Sequence, residues 1–226
     1  MRAKRCAPIL IASGTSGEPG DSALLVLIAL IAVNVVMSIA GFRAFGGEGG
    51  RAERFLFIPS QVARGENGLG MLLSHFSHTG LMHLLLNMFT LFSFARPVIT
   101  TLGPAKFLAI YAAAGLGSDL VVFALWKDDP TYRCLGASGS VFGIMMAAIV
   151  LDPTTSVAFM FVPVPIPGPI FMVGYAVISV FLIMGRQRGG ISHEGHLGGA
   201  IIGLAITVLL APRGLVPLFR WFDQWR

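Results

Sequence analysis

Apolar residues in this chain gather in long blocks, and the blocks are separated by short polar or glycine- and proline-rich stretches. A block of about 20 apolar residues matches the hydrocarbon thickness of a bilayer, so each reads as a membrane-spanning helix. Span one covers Ala23 to about Gly41, with Asp21 or Ser22 as its cap. Asn34 lies inside it, and an amide in lipid normally faces a partner helix. A long connection, Phe42 to Leu69, holds the amphipathic stretch Glu53 to Pro59, which is too short to span. Span two runs from about Met71 to Phe94, carries Ser74, His75, His78, His83 and Asn87, and is expected to end at Arg96-Pro97.

Span three begins near Pro104 and reaches about Leu125, with Asp119 inside, and the polar loop Trp126 to Leu135 follows. Span four, Gly136 to Leu151, is short for a full crossing, which suits a helix whose first residues start below the membrane surface in a wet recess. Asp152-Pro153 stops it, and Pro163, Pro165, Pro167 and Pro169 introduce span five, Ile170 to Met184. A basic turn, Arg186 to Gly190, leads to span six, Ile191 to about Leu210. The expected fold is all-α, a polytopic membrane bundle of six transmembrane helices over residues 21–211. Residues 1–20 read as a flexible tail and 212–226 as an amphipathic tail, with Trp221 and Trp225 suited to the interface.

Composition agrees with that reading. The 226 residues are 55% hydrophobic and 12% charged, about half the charge of an average soluble domain. Mean hydropathy is +0.79. The net charge of +5 forms no basic stripe or aromatic platform, so nucleic acid is not an expected partner. The first span is too long for a signal-peptide core and lacks a cleavage site, so it is expected to be retained. Cys6 and Cys134 offer no metal set, and with an odd number of spans between them they are not expected to pair.

Six spans place both termini on one side. That side would hold eight of the 16 basic residues: Arg2, Lys4, Arg5, Arg96, Lys106, Arg213, Arg220 and Arg226. The other eight fall on the opposite side, so the positive-inside rule gives a tie, broken weakly toward a cytoplasmic N-terminus by the first helix.

The chemistry concentrates at Gly136-Ala137-Ser138-Gly139-Ser140, a serine framed by glycines at a helix start. Small residues there also suit plain helix packing. The chain's five histidines fall into two groups, however: His75, His78 and His83 on span two, and His193 and His196 on span six. Ionisable groups within spans are costly and point to function. On span six, Gly195, Gly199 and Gly203 form a smooth ridge, and the last two lie within roughly 60° of His196 around the helix. Gly139 and Gly143 answer on span four, so the backbones can approach closely enough for a Ser138–His196 hydrogen bond. His83 and Asn87 share a helix face and both can donate to an oxyanion beside Ser138. The same pair also suits a polar ladder between helices. Phe142, one turn after Ser138, is placed to stack on the imidazole.

Two other hydrolytic patterns fail. His193-Glu194-Gly195-His196 is one residue short of the zinc-protease motif, and Ser140 replaces the second glycine of a soluble hydrolase elbow. Glu194 lies about 200° around the helix from His196, so no carboxylate is set as a third member. The residues favour a Ser–His dyad with no metal and no cofactor.

Three stretches, His78-Thr79-Gly80-Leu81-Met82-His83-Leu84-Leu85-Leu86-Asn87, Gly136-Ala137-Ser138-Gly139, and His196-Leu197-Gly198-Gly199 with Gly203, closely resemble the rhomboid family of intramembrane serine proteases. The resemblance runs from about Leu69 to Gly203. It implies Ser138 as nucleophile, His196 as general base and then acid, and an oxyanion hole of His83, Asn87 and the Ser138 amide. Gly136 and Gly199 would support that arrangement. It also implies both termini inside, a site opening outward, and substrates that are single-span membrane proteins presented laterally from the lipid bilayer. The expected location is a bacterial cytoplasmic membrane, since no transit-like extension is evident. The chain departs from the family pattern at Gly70-Met71, where many members carry Trp-Arg, and at Ile99 and Thr101, where Glu-x-Arg often stands. The competing expectation is a non-catalytic protein, either a scaffold that binds membrane helices or a small permease, which Asp119, Asn34 and the proline-interrupted fifth segment would suit.

Overall fold

A computed structural model describes residues 21–47, 52–159, 162–185 and 192–224. Helix α1 spans Asp21–Phe45, and both suggested capping residues fall inside it. A 3-10 turn at Ala52–Phe55 and two short helices, α2 (Pro59–Ala63) and α3 (Gly68–Ser74), make up the first connection. The long helices α4 (Leu81–Leu102) and α5 (Pro104–Trp126) follow. Next come α6 (Ser138–Leu151), a hairpin of β1 (Ser156–Phe159) and β2 (Val162–Pro167), α7 (Gly168–Met184), α8 (His193–Leu210) and α9 (Val216–Asp223). Among the described residues, α1, α4, α5 and α8 are long and apolar enough to cross a membrane, while α6 and α7 are shorter apolar helices.

The shortness of α6 follows from its position. Eleven of its 14 residues are buried, and it packs against α4, α5, α7 and α8. A helix enclosed by other helices need not match the bilayer, because its ends meet protein rather than lipid. The outer helices turn large apolar side chains outward, among them Leu120, Phe181 and Leu209. Such faces suit lipid and would be a liability in water.

Two expectations need correcting. The stretch read as span two is not one helix: α3 stops at Ser74, the chain crosses His75 to Gly80 without helix, and α4 starts at Leu81. Nor does Arg96-Pro97 end α4, which contains Pro97 and continues to Leu102. An interior proline costs about 3 kcal/mol, but Val98, Ile99 and Leu102 beyond it are all buried. At roughly 1.5–3 kcal/mol per buried aliphatic side chain, continuing the helix wins. The real break is Gly103, whose φ of 84° no ordinary side chain favours, with Pro104 opening α5.

The proline run lies largely in the hairpin, which sequence reading missed. Ser156 pairs with Pro167 and Val157 with Ile166, antiparallel. Pro165 and Pro167 alternate along β2 with residues of the other parity, and the Gly168 N–H donates to the Thr155 carbonyl at 2.8 Å. Prolines confined to one parity leave their missing donors on the strand's free edge. In α9, Val216, Phe219 and Phe222 are exposed, as an interface-seeking helix requires; Trp225 lies outside the described residues.

Candidate active site

Three elements converge on Ser138. Gly136 precedes it with φ 133°, a conformation that favours glycine, and its N–H donates to the Ser74 carbonyl at 2.9 Å. A Cβ on Gly136 would sit 2.9 Å from His83 Cε1, so the turn also lets the His83 ring come close. The first bond within α6 runs from the Val141 N–H to the Ala137 carbonyl, 2.9 Å. The N–H groups ahead of it, that of Ser138 included, have no acceptor inside the helix.

On α8, Ser192 caps the N-terminus by accepting from the Gly195 N–H at 3.2 Å. One residue later, His196 Nε2 lies 2.7 Å from Ser138 Oγ. Phe142 stacks on the imidazole with centroids 4.7 Å apart and planes at 21°. Tyr175 stacks on the other side of Phe142 at 4.6 Å, and Phe171 lies 5.7 Å from Tyr175. The imidazole thus ends a row of rings reaching from α8 through α6 to α7. Stacked rings contribute about 0.5–1.5 kcal/mol per pair beyond burial, enough to favour one imidazole orientation.

The glycines explain how so short a side chain as serine reaches a histidine on another helix. A Cβ on Gly199 would fall 2.6 Å from the Gly139 carbonyl carbon and 2.8 Å from its Cα. One turn on, a Cβ on Gly203 would fall 2.7 Å from the Gly143 carbonyl carbon. Those distances are backbone against backbone. Ser118 of α5 closes the third side, its Oγ 2.6 Å and 2.8 Å from where Cβ atoms of Gly139 and Gly195 would be.

The remaining polar residues take separate places. His83 Nδ1 is 3.1 Å from Thr79 Oγ1, leaving Nε2 on the Gly136 side. Asn87 donates its amide to the His83 carbonyl at 2.9 Å, so it is tied to its own helix here and not directed at Ser138. His75 Nε2 is 2.7 Å from Asp119 Oδ2. His78 is fully buried, with Nδ1 2.8 Å from Ser38 Oγ of α1, and its ring lies edge-on to His83 at 5.0 Å. The break between α3 and α4 therefore divides the first histidine group among three environments. Asn34 does meet a partner helix: its amide lies 3.4 Å from the Tyr111 hydroxyl of α5.

A cleft of about 30 Å³ opens beside Ser138 and His196, bordered by Ser74, His75, Asp119 and Cys134. That volume accommodates water; His78 is not on its wall. Cys134 is the other nucleophile type present. Burial, and then Asp119 and Glu194, push its thiol well above the usual range, which disfavours the thiolate. Among the described residues no carboxylate bonds to His196. Asp119 is taken by His75, and Glu194 accepts from Tyr132 and Trp126.

Sequence reasoning overlooked Tyr111, Tyr132 and Tyr175, the chain's three tyrosines, each of which packs within or beside this polar centre. A hydroxyl in an otherwise apolar chain seeks a partner, as those of Tyr111 and Tyr132 do, and that signal could have marked these two.

The family model of the Rhomboid domain matches residues 65–213. The chain is 33% identical over 144 residues to the human presenilin-associated rhomboid-like protein, mitochondrial, covering 59% of this chain and 36% of that protein. It is 30% identical over 164 residues to the zebrafish presenilin-associated rhomboid-like protein A, mitochondrial, covering 67% and 40%. It is also 30% identical over 138 residues to the yeast Rhomboid protein 1, mitochondrial, covering 58% and 38%. The chain spans well under half the length of the curated relatives it matches. The matched region takes in Ser138, His196, the glycines that bring them together and the His75, His78 and His83 group, and with it this helical membrane protein belongs to the rhomboid family.

Proposed function

We propose that the protein is an intramembrane serine endopeptidase that cleaves single-span membrane proteins in or near their membrane segment. The observation that carries this reading is the 2.7 Å approach of Ser138 Oγ and His196 Nε2 across 58 residues of chain. It is held by glycine backbones and by the Phe142 ring rather than by a carboxylate.

His196 takes the Ser138 proton on Nε2 as Oγ attacks the substrate's peptide carbonyl. The tetrahedral oxyanion is met by the free N–H of Ser138 and by His83 Nε2. Asn87 joins once its amide leaves the His83 carbonyl. The C–N bond breaks, His196 passes the proton to the leaving amine, and the acyl group stays on Oγ. Water from the cleft then gives a proton to His196 and its oxygen to the acyl carbon, which frees the carboxylate and restores Ser138. At 1.5 Å per residue α6 is about 21 Å long, so in a 30 Å hydrocarbon layer Ser138 lies roughly 9 Å below one surface. Water must descend to it, and Ser74 and His75 border its route.

On this reading α1, α4, α5, α6, α7 and α8 are the six crossings of residues 21–211, with α9 at the face opposite the site. Both termini lie on one side of the bilayer and the site opens to the other. The relatives named above are mitochondrial by name. They give no support to the expected bacterial cytoplasmic membrane, and the location proposed is a bilayer without further assignment. Asp119 and Asn34, which favoured a permease, are engaged inside the bundle with His75 and Tyr111.

The test is cleavage of a model single-span substrate in reconstituted membranes, with labelling by a serine-reactive phosphonate alongside. Wild type should cleave and label, and Ser138→Ala and His196→Ala should do neither. Cleavage that persists in Ser138→Ala would sink the proposal.

A further inference from the structure

Glu194 is a buried carboxylate, 7% exposed, with no Lys or Arg ion pair among the described residues. Burying such a group is costly unless it is hydrogen-bonded. Its Oε1 accepts from the Tyr132 hydroxyl at 2.5 Å and from the Trp126 indole N–H at 2.8 Å. The Trp126 and Tyr132 rings are stacked, 4.7 Å apart and 11° from parallel. Tyr132 also lies 3.0 Å from Ser192 Oγ, the cap of α8. Burial, then Cys134 and the bond to Glu194, push the phenol above its ordinary range, so Tyr132 stays a donor.

These contacts tie two particular segments together. Tyr132 belongs to the connection that runs into Gly136 and Ser138, Trp126 ends α5 where that connection begins, and Glu194 stands two residues before His196. The same connection is pinned from its other side, where Phe57 and Cys134 exchange backbone bonds of 2.9 and 3.0 Å. Deeper in the bundle the glycine contacts fix α6 against α8. Those contacts begin at Gly139, beside Ser138, and Glu194 adds a tie that reaches from the start of α8 to the connection ahead of α6.

We infer that Glu194, Tyr132 and Trp126 form a positioning clamp that holds the start of α8, and hence His196, in register with the segment leading to Ser138. This rests on the protease reading for its consequence but not for its geometry. Glu194 acts as an acceptor on the far side of the helix, so what matters is its oxygen and not its charge. A glutamine keeps the acceptor; an alanine removes it.

The experiment compares the full-length wild type with Glu194→Ala, Glu194→Gln and Tyr132→Phe in one detergent or liposome preparation. It reads amide hydrogen exchange in the first turn of α8, kcat and KM for a single-span substrate, and thermal stability. Glu194→Ala should speed exchange of the His196 amide about tenfold. Its kcat should fall roughly 10- to 100-fold with KM within about twofold. Tyr132→Phe, which keeps the Trp126 bond, should fall between, and Glu194→Gln should restore exchange and kcat to near wild type. Unchanged exchange in Glu194→Ala would overturn the clamp. So would a Gln variant as impaired as the Ala variant, or a loss confined to KM. Faster exchange in a protein whose wild type neither cleaves nor labels would uphold the clamp and overturn the protease reading instead.

Discussion

Gly199→Ala is the smallest perturbation that bears on the whole arrangement. The added methyl would fall 2.6 and 2.8 Å from the carbonyl carbon and Cα of Gly139, where ordinary contact begins at 3.4 Å. Neither atom belongs to a side chain that can rotate away, so α6 and α8 must separate by about 0.6–1 Å. Gly199 is one turn beyond His196 and Gly139 is next to Ser138, so the displacement reaches the pair almost undiminished. The 2.7 Å bond between them then opens to about 3.5 Å, outside hydrogen-bonding range. A misplacement of that size costs about 10²-fold in rate, or roughly 2.7 kcal/mol of barrier. The overpacking cost to stability is about 1–3 kcal/mol. The assay is phosphonate labelling and substrate cleavage at a temperature where the variant is folded. Gly174→Ala serves as the control, because a Cβ there meets nothing within 4 Å. It should keep its rate within twofold. A Gly199→Ala protein that cleaves at the wild-type rate would refute the claim that backbone contact sets the site.

Gly136→Ala combines a φ of 133° with a Cβ 2.9 Å from the His83 ring, and labelling of Ser138 should fall below a hundredth of wild type. Phe142→Leu removes the stack on His196, worth about 0.5–1.5 kcal/mol, so kcat should drop about two- to tenfold while Tyr175→Phe leaves it nearly unchanged. Asp119→Ala strips a half-buried His75 of its partner, and thermal denaturation should report a loss of about 1–3 kcal/mol.

The apolar blocks reveal the long helices because bilayer thickness imposes a length that composition alone displays. The glycine spacing around Ser138 and His196 likewise announces close approach, since a small residue every turn makes a groove whatever the tertiary context. The break at His75 to Gly80 is different. Apolar residues resume on both sides of this polar stretch, and what fixes the end of α3 is tertiary: the Ser74 carbonyl accepts from Gly136, and His78 meets Ser38. Pro97 misled in the opposite sense, because a local penalty was outweighed by burial visible only after folding. The other polar residues were legible as a group but not as pairs. That Asp119 meets His75 and not His196, or that Asn87 turns back to His83, depends on helix rotation that no local pattern records.

The order of the chain gives the α6–α8 contact a consequence in time. Ser138 enters the membrane with α6, but its partner arrives later, on α8. On the proposed protease reading, the serine lacks its histidine until α8 docks and the chain is inert. Reactivity is therefore a checkpoint on complete assembly. Chains stalled before His193 should insert yet fail to react with a phosphonate, and a bundle that comes apart at α8 disarms itself before it can cut its neighbours.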